Sequence, residues 1–258
     1  MKRYELKQRL KREAHRLGMT LFGVADAGRW ASYGETDPAF YPQTVWPWSA
    51  AVVVMGVPIL LPMLETTPSI VYSELYNTTN RLLDEAAYRL AASLDALGCR
   101  ALYFPRDGYG DISVLVKTPA AAFSHVLAGK YAGLGTIGAN HTLLTPEYGP
   151  RVRLVSVITD APLPPDPVRD TELCLRCGLC RKRCPVGAFA EQPEGAYPMD
   201  KHKCAAYHER LKQEYRYPCG VCTLICPVGR DKERYGPASV SPEGIAHCQT
   251  YGSLNANP

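Results

Sequence analysis

The stretch Cys174-Leu175-Arg176-Cys177-Gly178-Leu179-Cys180-Arg181-Lys182-Arg183-Cys184-Pro185, followed by a solitary Cys204 and by Cys219-Gly220-Val221-Cys222-Thr223-Leu224-Ile225-Cys226-Pro227, holds eight of the ten cysteines of the chain. Its first run has the spacing C-x2-C-x2-C-x3-C-P. In that spacing three cysteines grip one [4Fe–4S] cluster, and the fourth leaves its neighbours to ligate a second. This assigns one cluster to Cys174, Cys177, Cys180 and Cys226, and another to Cys184, Cys204, Cys219 and Cys222. Two-residue gaps let a tight loop aim three sulfurs at one cubane, and the proline after the last cysteine ends regular structure. Leu173, Leu179, Val186, Val221, Leu224 and Ile225 supply an apolar shell, which excludes water and tunes potential. Zinc sites also use paired cysteines, but not usually a third two residues on and a fourth three later. Disulfides are disfavoured because nothing at the N-terminus reads as a secretory signal. Cys99 reads as a small core residue, and Cys248 belongs to neither motif.

Around this stretch the composition is that of an ordinary globular protein, with 46% apolar and 21% charged residues in 258. No apolar run is long enough to span a bilayer, so no membrane partner is expected. The mixed-charge start Met1-Lys2-Arg3-Tyr4-Glu5 carries no leader signature, and a cytoplasmic, reducing, low-oxygen setting is the expectation. The formal charge is +4, with Arg176, Arg181, Lys182, Arg183, Lys201 and Lys203 crowded near the cysteines. A nucleic-acid patch is one reading. The favoured one is compensation, since each thiolate-bound cubane brings about −2 of its own.

Taken in order, residues 2–18 read as an amphipathic helix, Thr20–Ala25 as a buried strand, and residues 26–50 as an irregular loop. Ala51–Gly56 is a second strand, apolar throughout. Pro58, Pro62 and Pro68 predict a non-helical stretch. A long helix is predicted over Tyr72–Leu97, then strand Arg100–Phe104, a helix near Ala120–Ala132 and strand Val152–Thr159. Strands separated by helices predict an α/β sheet. Residues 161–168 hold four prolines. They predict a stiff linker and a boundary near 165, dividing an α/β domain (1–165) from a cluster domain with a tail (166–258).

Gly133-Leu134-Gly135-Thr136-Ile137-Gly138 matches G-x-G-x-x-G. A dinucleotide site needs a strand before it and a helix after it. Here a helical pattern precedes, and Pro146 and Pro150 interrupt the residues after it. The segment is read instead as backbone that approaches a large flat or polyanionic ligand closely.

The continuous motif Ala132-Gly-Leu-Gly-Thr-Ile-Gly-Ala-Asn140-His-Thr-Leu-Leu-Thr-Pro-Glu-Tyr-Gly-Pro-Arg151, then a strand ending Thr159-Asp160, then the two-cluster cysteine pattern, resembles the epoxyqueuosine reductases and the corrinoid reductive dehalogenases. The likeness covers residues 115–227 well, and 1–110 only by order of elements. It implies a nitroreductase-like α/β domain of the cobalamin-binding type plus a small two-[4Fe–4S] ferredoxin-like domain. It implies electrons passed through the clusters to base-off cobalamin, which reduces the substrate. By that analogy Gly133, Gly135, Gly138, Asn140, Leu143, Thr145 and Arg151 line the corrinoid. Three departures limit the carry-over. Where the first family has a carboxylate in a VD-x-x-P pattern, this chain reads Val116-Lys117-Thr118-Pro119. A helical-repeat extension that helps bind tRNA is absent, so tRNA is disfavoured as a partner, and a twin-arginine leader is absent too.

Reduction also needs a proton source. His125, His141 and Tyr148 are the candidate catalytic groups, with Asp111 behind them. The expectation is a cytoplasmic reductase with a ferredoxin- or flavodoxin-type donor and a small-molecule or modified-nucleoside-like substrate. Two alternatives stay open: a cobalamin-free electron-transfer protein, and a flavin (FMN) reductase on the same α/β shape.

Overall fold

The computed structural model describes residues 2–234 and 240–250. The glycine-, proline- and serine-rich tail expected after Cys226 lies partly outside these residues. Helix α1 (Arg3–Arg16) leads into strand β1 (Leu21–Asp26), then β2 (Ala51–Pro58) and the long helix α2 (Ile70–Asp95). Strand β3 (Ala101–Phe104), helix α3 (His125–Tyr131), a small hairpin of β4 (Thr136–Ile137) and β5 (Leu143–Leu144), and strand β6 (Val152–Thr159) follow. The cysteine half contributes α4 (Lys201–Gln213), and α5 (Pro242–Thr250) comes last.

The main sheet has the order β1-β2-β6-β3, and every pairing is antiparallel. Its apolar central strand has a two-sided cause. Ala51, Val53, Met55 and Val57 face α1 and α2, joining Leu10, Leu83, Leu90 and Leu94. Val52 and Val54 face the other way, joining Trp30, Phe123, Leu127 and Tyr131. Helices therefore cover both faces, and β2 has no wet side on which a polar alternation would be written. Each such Val or Leu contributes about 1.5–3 kcal/mol by burial.

Three expectations change. A short helix does form at Leu61–Glu65, because Pro62 falls in its first turn, where the missing N–H is no loss. The 26–50 loop contains short helices at Arg29–Tyr33 and Pro42–Val45. The third predicted helix begins only at His125, capped by Ser124.

The proline segment packs along the edge of β1. Asp166 N–H donates to Val24 O and its carboxylate accepts from Val24 N–H, both at 2.8 Å. The same carboxylate takes Lys7 Nζ at 2.7 Å.

Candidate iron–sulfur centre and adjoining cavity

Cys174, Cys177, Cys180 and Cys226 line one small cavity with Ala139, Asn140, Leu144 and Val228. Burial raises the Cys180 thiol, and Cys174, Cys177 and Cys226 push it the same way. In the second set burial pushes Cys222 up to about 12, with Cys219, Cys204, Cys180 and Cys184 adding to it. Cys204 is pushed up to about 11 by burial and by Cys219 and Cys184. Clustered buried thiols disfavour one another as thiolates, and a bound cation reverses that by deprotonating them outright. Among the described residues no three His, Cys, Asp or Glu side chains converge on a point that would hold a single ion. The sets meet where Cys174, Cys180, Cys184 and Cys222 pack around Ala139, Phe189 and Tyr197.

A cavity of about 680 Å³ opens between the sheet and the cysteine half. Cys204 and Cys219 of the second set stand in its wall, with Lys201 and His208 from the same face of α4. Tyr72, Tyr76, Phe123, His125, Leu143, Arg153 and Leu154 line it from the α/β side. Five polar groups are wired together in that wall. Tyr76 Oη donates to the Asp107 carboxylate, 2.8 Å from each oxygen. Arg153 Nη2 reaches Asp107 Oδ1 at 3.1 Å, and its guanidinium lies 4.2 Å over the Tyr76 ring. Tyr109 and Tyr217 hydroxyls sit 2.8 Å apart, and Tyr217 lies 3.3 Å from Tyr76 Oη. Burial, foremost, raises the phenols of Tyr72, Tyr109 and Tyr217 well above their ordinary value. They keep their protons at neutral pH.

The motif from Ala132 to Arg151 does other work than expected. A Cβ on Gly133 would lie 2.2 Å from Pro167 O, and one on Gly135 would lie 1.9 Å from Leu144 O. On Gly138 it would meet Asn140 Oδ1 at 2.8 Å. The glycines serve close approach of the chain to itself. Thr145 is buried, accepts from Tyr148 N–H at 3.1 Å and donates to Gly149 O at 3.4 Å. It holds a turn with Tyr148, and neither residue lines the small cysteine cavity or the large one.

Arg151, expected to meet a cofactor's phosphate or amide groups, is 0% exposed. Its Nε and Nη2 each hold Asp231 at 2.6 Å. Nη1 donates to Cys226 O at 3.0 Å, and Nη2 also to Val228 O at 2.6 Å. It is a clamp on the loop carrying the last cysteine. Asn140 donates to Cys222 O at 3.3 Å, His141 Nε2 to Tyr197 O at 2.6 Å, and Tyr197 N–H to Ala139 O at 2.9 Å. The motif is the seam that sews the cluster loops to the sheet. Of the motif, His141–Leu143 and Pro150 reach the large cavity.

Of the proton candidates, His125 lines the cavity, but both ring nitrogens are engaged. Pro105 O, 3.0 Å away, can only accept, so Nε2 carries the hydrogen, and Nδ1 accepts from Ser156 Oγ at 2.9 Å. Burial holds its pKa down at about 4, so it is neutral near pH 7. Asp111, held down to about 2 chiefly by Lys212, caps the helix Ile112–Lys117 through Ser113 N–H. Lys117 is exposed at the end of that helix. His208, four residues after Cys204 on one helical face and readable from the sequence as a residue beside the second cysteine set, faces the cavity and is pushed down to about 4 by burial alone. Sequence reasoning misses Tyr76, Asp107, Tyr109 and Tyr217, which are scattered along the chain and meet only in the fold.

Cage and cavity together describe an iron–sulfur redox protein whose cysteine half abuts a ligand pocket. Residues 167–190 match the family described as 4Fe-4S binding domain. Epoxyqueuosine reductase of Bacillus anthracis is 30% identical over 145 residues, 52% of this chain and 37% of that protein. A solved reductive dehalogenase, described as suggesting a mechanism for B12-dependent dehalogenation, superposes with a TM-score of 0.67 at 21% identity, over 99% of this chain and 36% of that one. An epoxyqueuosine reductase solved with a tRNA-Tyr epoxyqueuosine-modified stem loop gives 0.59 at 20% identity, over 88% and 66%. In sequence the chain is similar to epoxyqueuosine reductases and reductive dehalogenases, and its fold is similar to theirs. It spans less than half the length of the curated relatives it matches. Among the described residues no helix is long and apolar enough to cross a membrane.

Proposed function

We propose that the protein is an iron–sulfur reductase that carries electrons through two [4Fe–4S] clusters to a corrinoid held in the large cavity of a nitroreductase-like domain. The observation that carries this reading is the shared wall: Cys204 and Cys219 border both the second cysteine set and the 680 Å³ cavity. That volume lies in the upper part of the roughly 300–1,000 Å³ range of small-molecule sites. The lining suits a flat ligand, with apolar Phe123, Leu143 and Leu154 on one side and the polar Lys201 and Arg106 beside them. When bound, the clusters supply single electrons and the corrinoid a strongly reducing metal centre for the substrate.

The chain's own residues do the rest. Cys174, Cys177, Cys180 and Cys226 hold the first cluster, and Cys184, Cys204, Cys219 and Cys222 the second. Asp107 fixes Tyr76 and Arg153 in the cavity wall, which keeps their donors pointing at one place without reorganisation. The hydroxyls of Tyr109 and Tyr217, raised by burial, stay protonated and are the candidate hydrogen donors, while Tyr76 spends its own hydrogen on Asp107. His125 and His208, neutral at pH 7, hold tautomers rather than charge.

The substrate is a small molecule or a modified nucleoside. A tRNA partner, disfavoured on sequence grounds, regains standing because one solved relative holds a tRNA stem loop. Anaerobic reconstitution tests the reading: about eight irons per chain and uptake of one cobalamin with a change in its visible spectrum are expected. Zinc without acid-labile sulfide would overturn it. Iron with neither corrinoid nor flavin bound would favour the electron-transfer alternative, and bound FMN the flavin one.

A further inference from the structure

The eight cluster cysteines are unequally sheltered. Cys177 is exposed, and the other seven are half-buried. Leu175, two residues earlier, is 68% exposed, the highest value among the exposed large apolar side chains of the described residues. A single exposed leucine is ordinary, but this one also lines the cage formed by Cys174, Cys177, Cys180 and Cys226. The first cage therefore comes to the surface at Cys177, beside Leu175. The second set instead borders the interior cavity. The surrounding charge is asymmetric too. Glu172 and Glu191 are taken by Arg176 and Arg181, at 3.6 and 3.0 Å. Arg169, Lys182 and Arg183 are exposed, and no ion pair ties them to a carboxylate among the described residues. The Lys182 stem runs over Gly178, its Cε 3.9 Å from where a Cβ would stand.

We propose that the face around Leu175 and Cys177 is the docking site for a small acidic one-electron carrier protein, which loads the first cluster from outside. The proposal rests on the cluster assignment above. An apolar contact at Leu175 ringed by unpaired cations fits a transient redox encounter. Such encounters bury little area and gain speed from charge steering more than from affinity. In the step itself no bond forms or breaks. The carrier's reduced flavin or iron–sulfur centre loses one electron and the first cluster gains it. Two such visits supply a two-electron reduction, whose protons come from the cavity side.

The test is stopped-flow bleaching of the cluster absorption in the full-length, anaerobically reconstituted protein. Reduced flavodoxin serves as the acidic carrier and dithionite as the small reductant. Leu175→Glu and the double variant Lys182→Glu/Arg183→Glu are compared with Lys11→Glu, an exposed position on α1. Expected is a fall of about tenfold or more in the flavodoxin rate for the first two, with Lys11→Glu and all dithionite bleaching unchanged. The wild-type flavodoxin rate should also drop with added salt. Flavodoxin rates that stay at the wild-type level in both face variants would overturn the docking site, as would an equal loss in Lys11→Glu. A wild-type protein that dithionite cannot bleach would bring down the cluster assignment, and the docking face with it.

Discussion

Replacing Arg151 by methionine isolates the seam between sheet and cluster loops. The guanidinium makes two bonds to Asp231 and two to the carbonyls of Cys226 and Val228. Both ion-pair side chains are buried, at 0% and 7% exposure. Removing one partner of such a pair costs about 3–5 kcal/mol, because the other charge stays buried and alone. The two orphaned carbonyls add about 1 kcal/mol each. Set against a typical total of about 5–15 kcal/mol, that is a large share. The loss falls beside Cys226, so the first cluster should suffer before the second. Chemical denaturation of reconstituted Arg151→Met should show the drop, and its iron content should fall from about eight toward about four per chain. Arg151→Met/Asp231→Leu separates charge from scaffolding. It should recover much of the stability, since an apolar pair replaces a buried ionic one at little cost, but not the iron, because the Cys226 carbonyl still lacks its donor. Full iron and wild-type stability in Arg151→Met would refute the clamp.

Cys204→Ala should halve the iron and leave the remaining cluster reducible by dithionite but unable to reduce a ligand in the cavity; an EPR count of reduced clusters reports this. Gly135→Ala would place a methyl 1.9 Å from Leu144 O, and a loss above about 3 kcal/mol is expected in urea melts, beyond the usual single-mutation cost. For His125 the folded pKa of about 4 lies below the unfolded value of 6.5. The unfolded chain thus binds the extra proton, and its contribution is full above 6.5 and lost as pH falls toward 4. Stability measured between pH 7 and 5.5 should therefore fall less steeply in His125→Gln than in wild type. His208→Phe, which keeps the bulk but removes the ring nitrogens, should change the affinity for cobalamin in a spectral titration while leaving iron content intact.

Much of the fold was legible because it obeys local rules. The periodic α1 and α2, the unbroken apolar β2 and the mostly apolar β6 appear within a few residues of where their patterns place them. The 4Fe-4S binding character of the cysteine run was legible because ligand spacing is itself a geometric constraint. The cavity was not. Tyr76, Asp107, Tyr109 and Tyr217 come from separate segments of the chain, and no spacing rule connects residues that meet only through the fold. The motif ending at Arg151 is ambiguous for a related reason. Glycines next to a ligand and glycines next to another strand look alike in sequence, and only the Pro167 and Leu144 carbonyls decide between them.

The pairing of Asp166 with Val24 has a practical side. A sheet's outer strand is an adhesive border unless something occupies its free donors and acceptors, and here the occupant is the very connector at which one would cut. Producing the amino-terminal half by stopping ahead of residue 166 would strip that guard from β1. The fragment should self-associate even though every helix that covers its sheet is still attached.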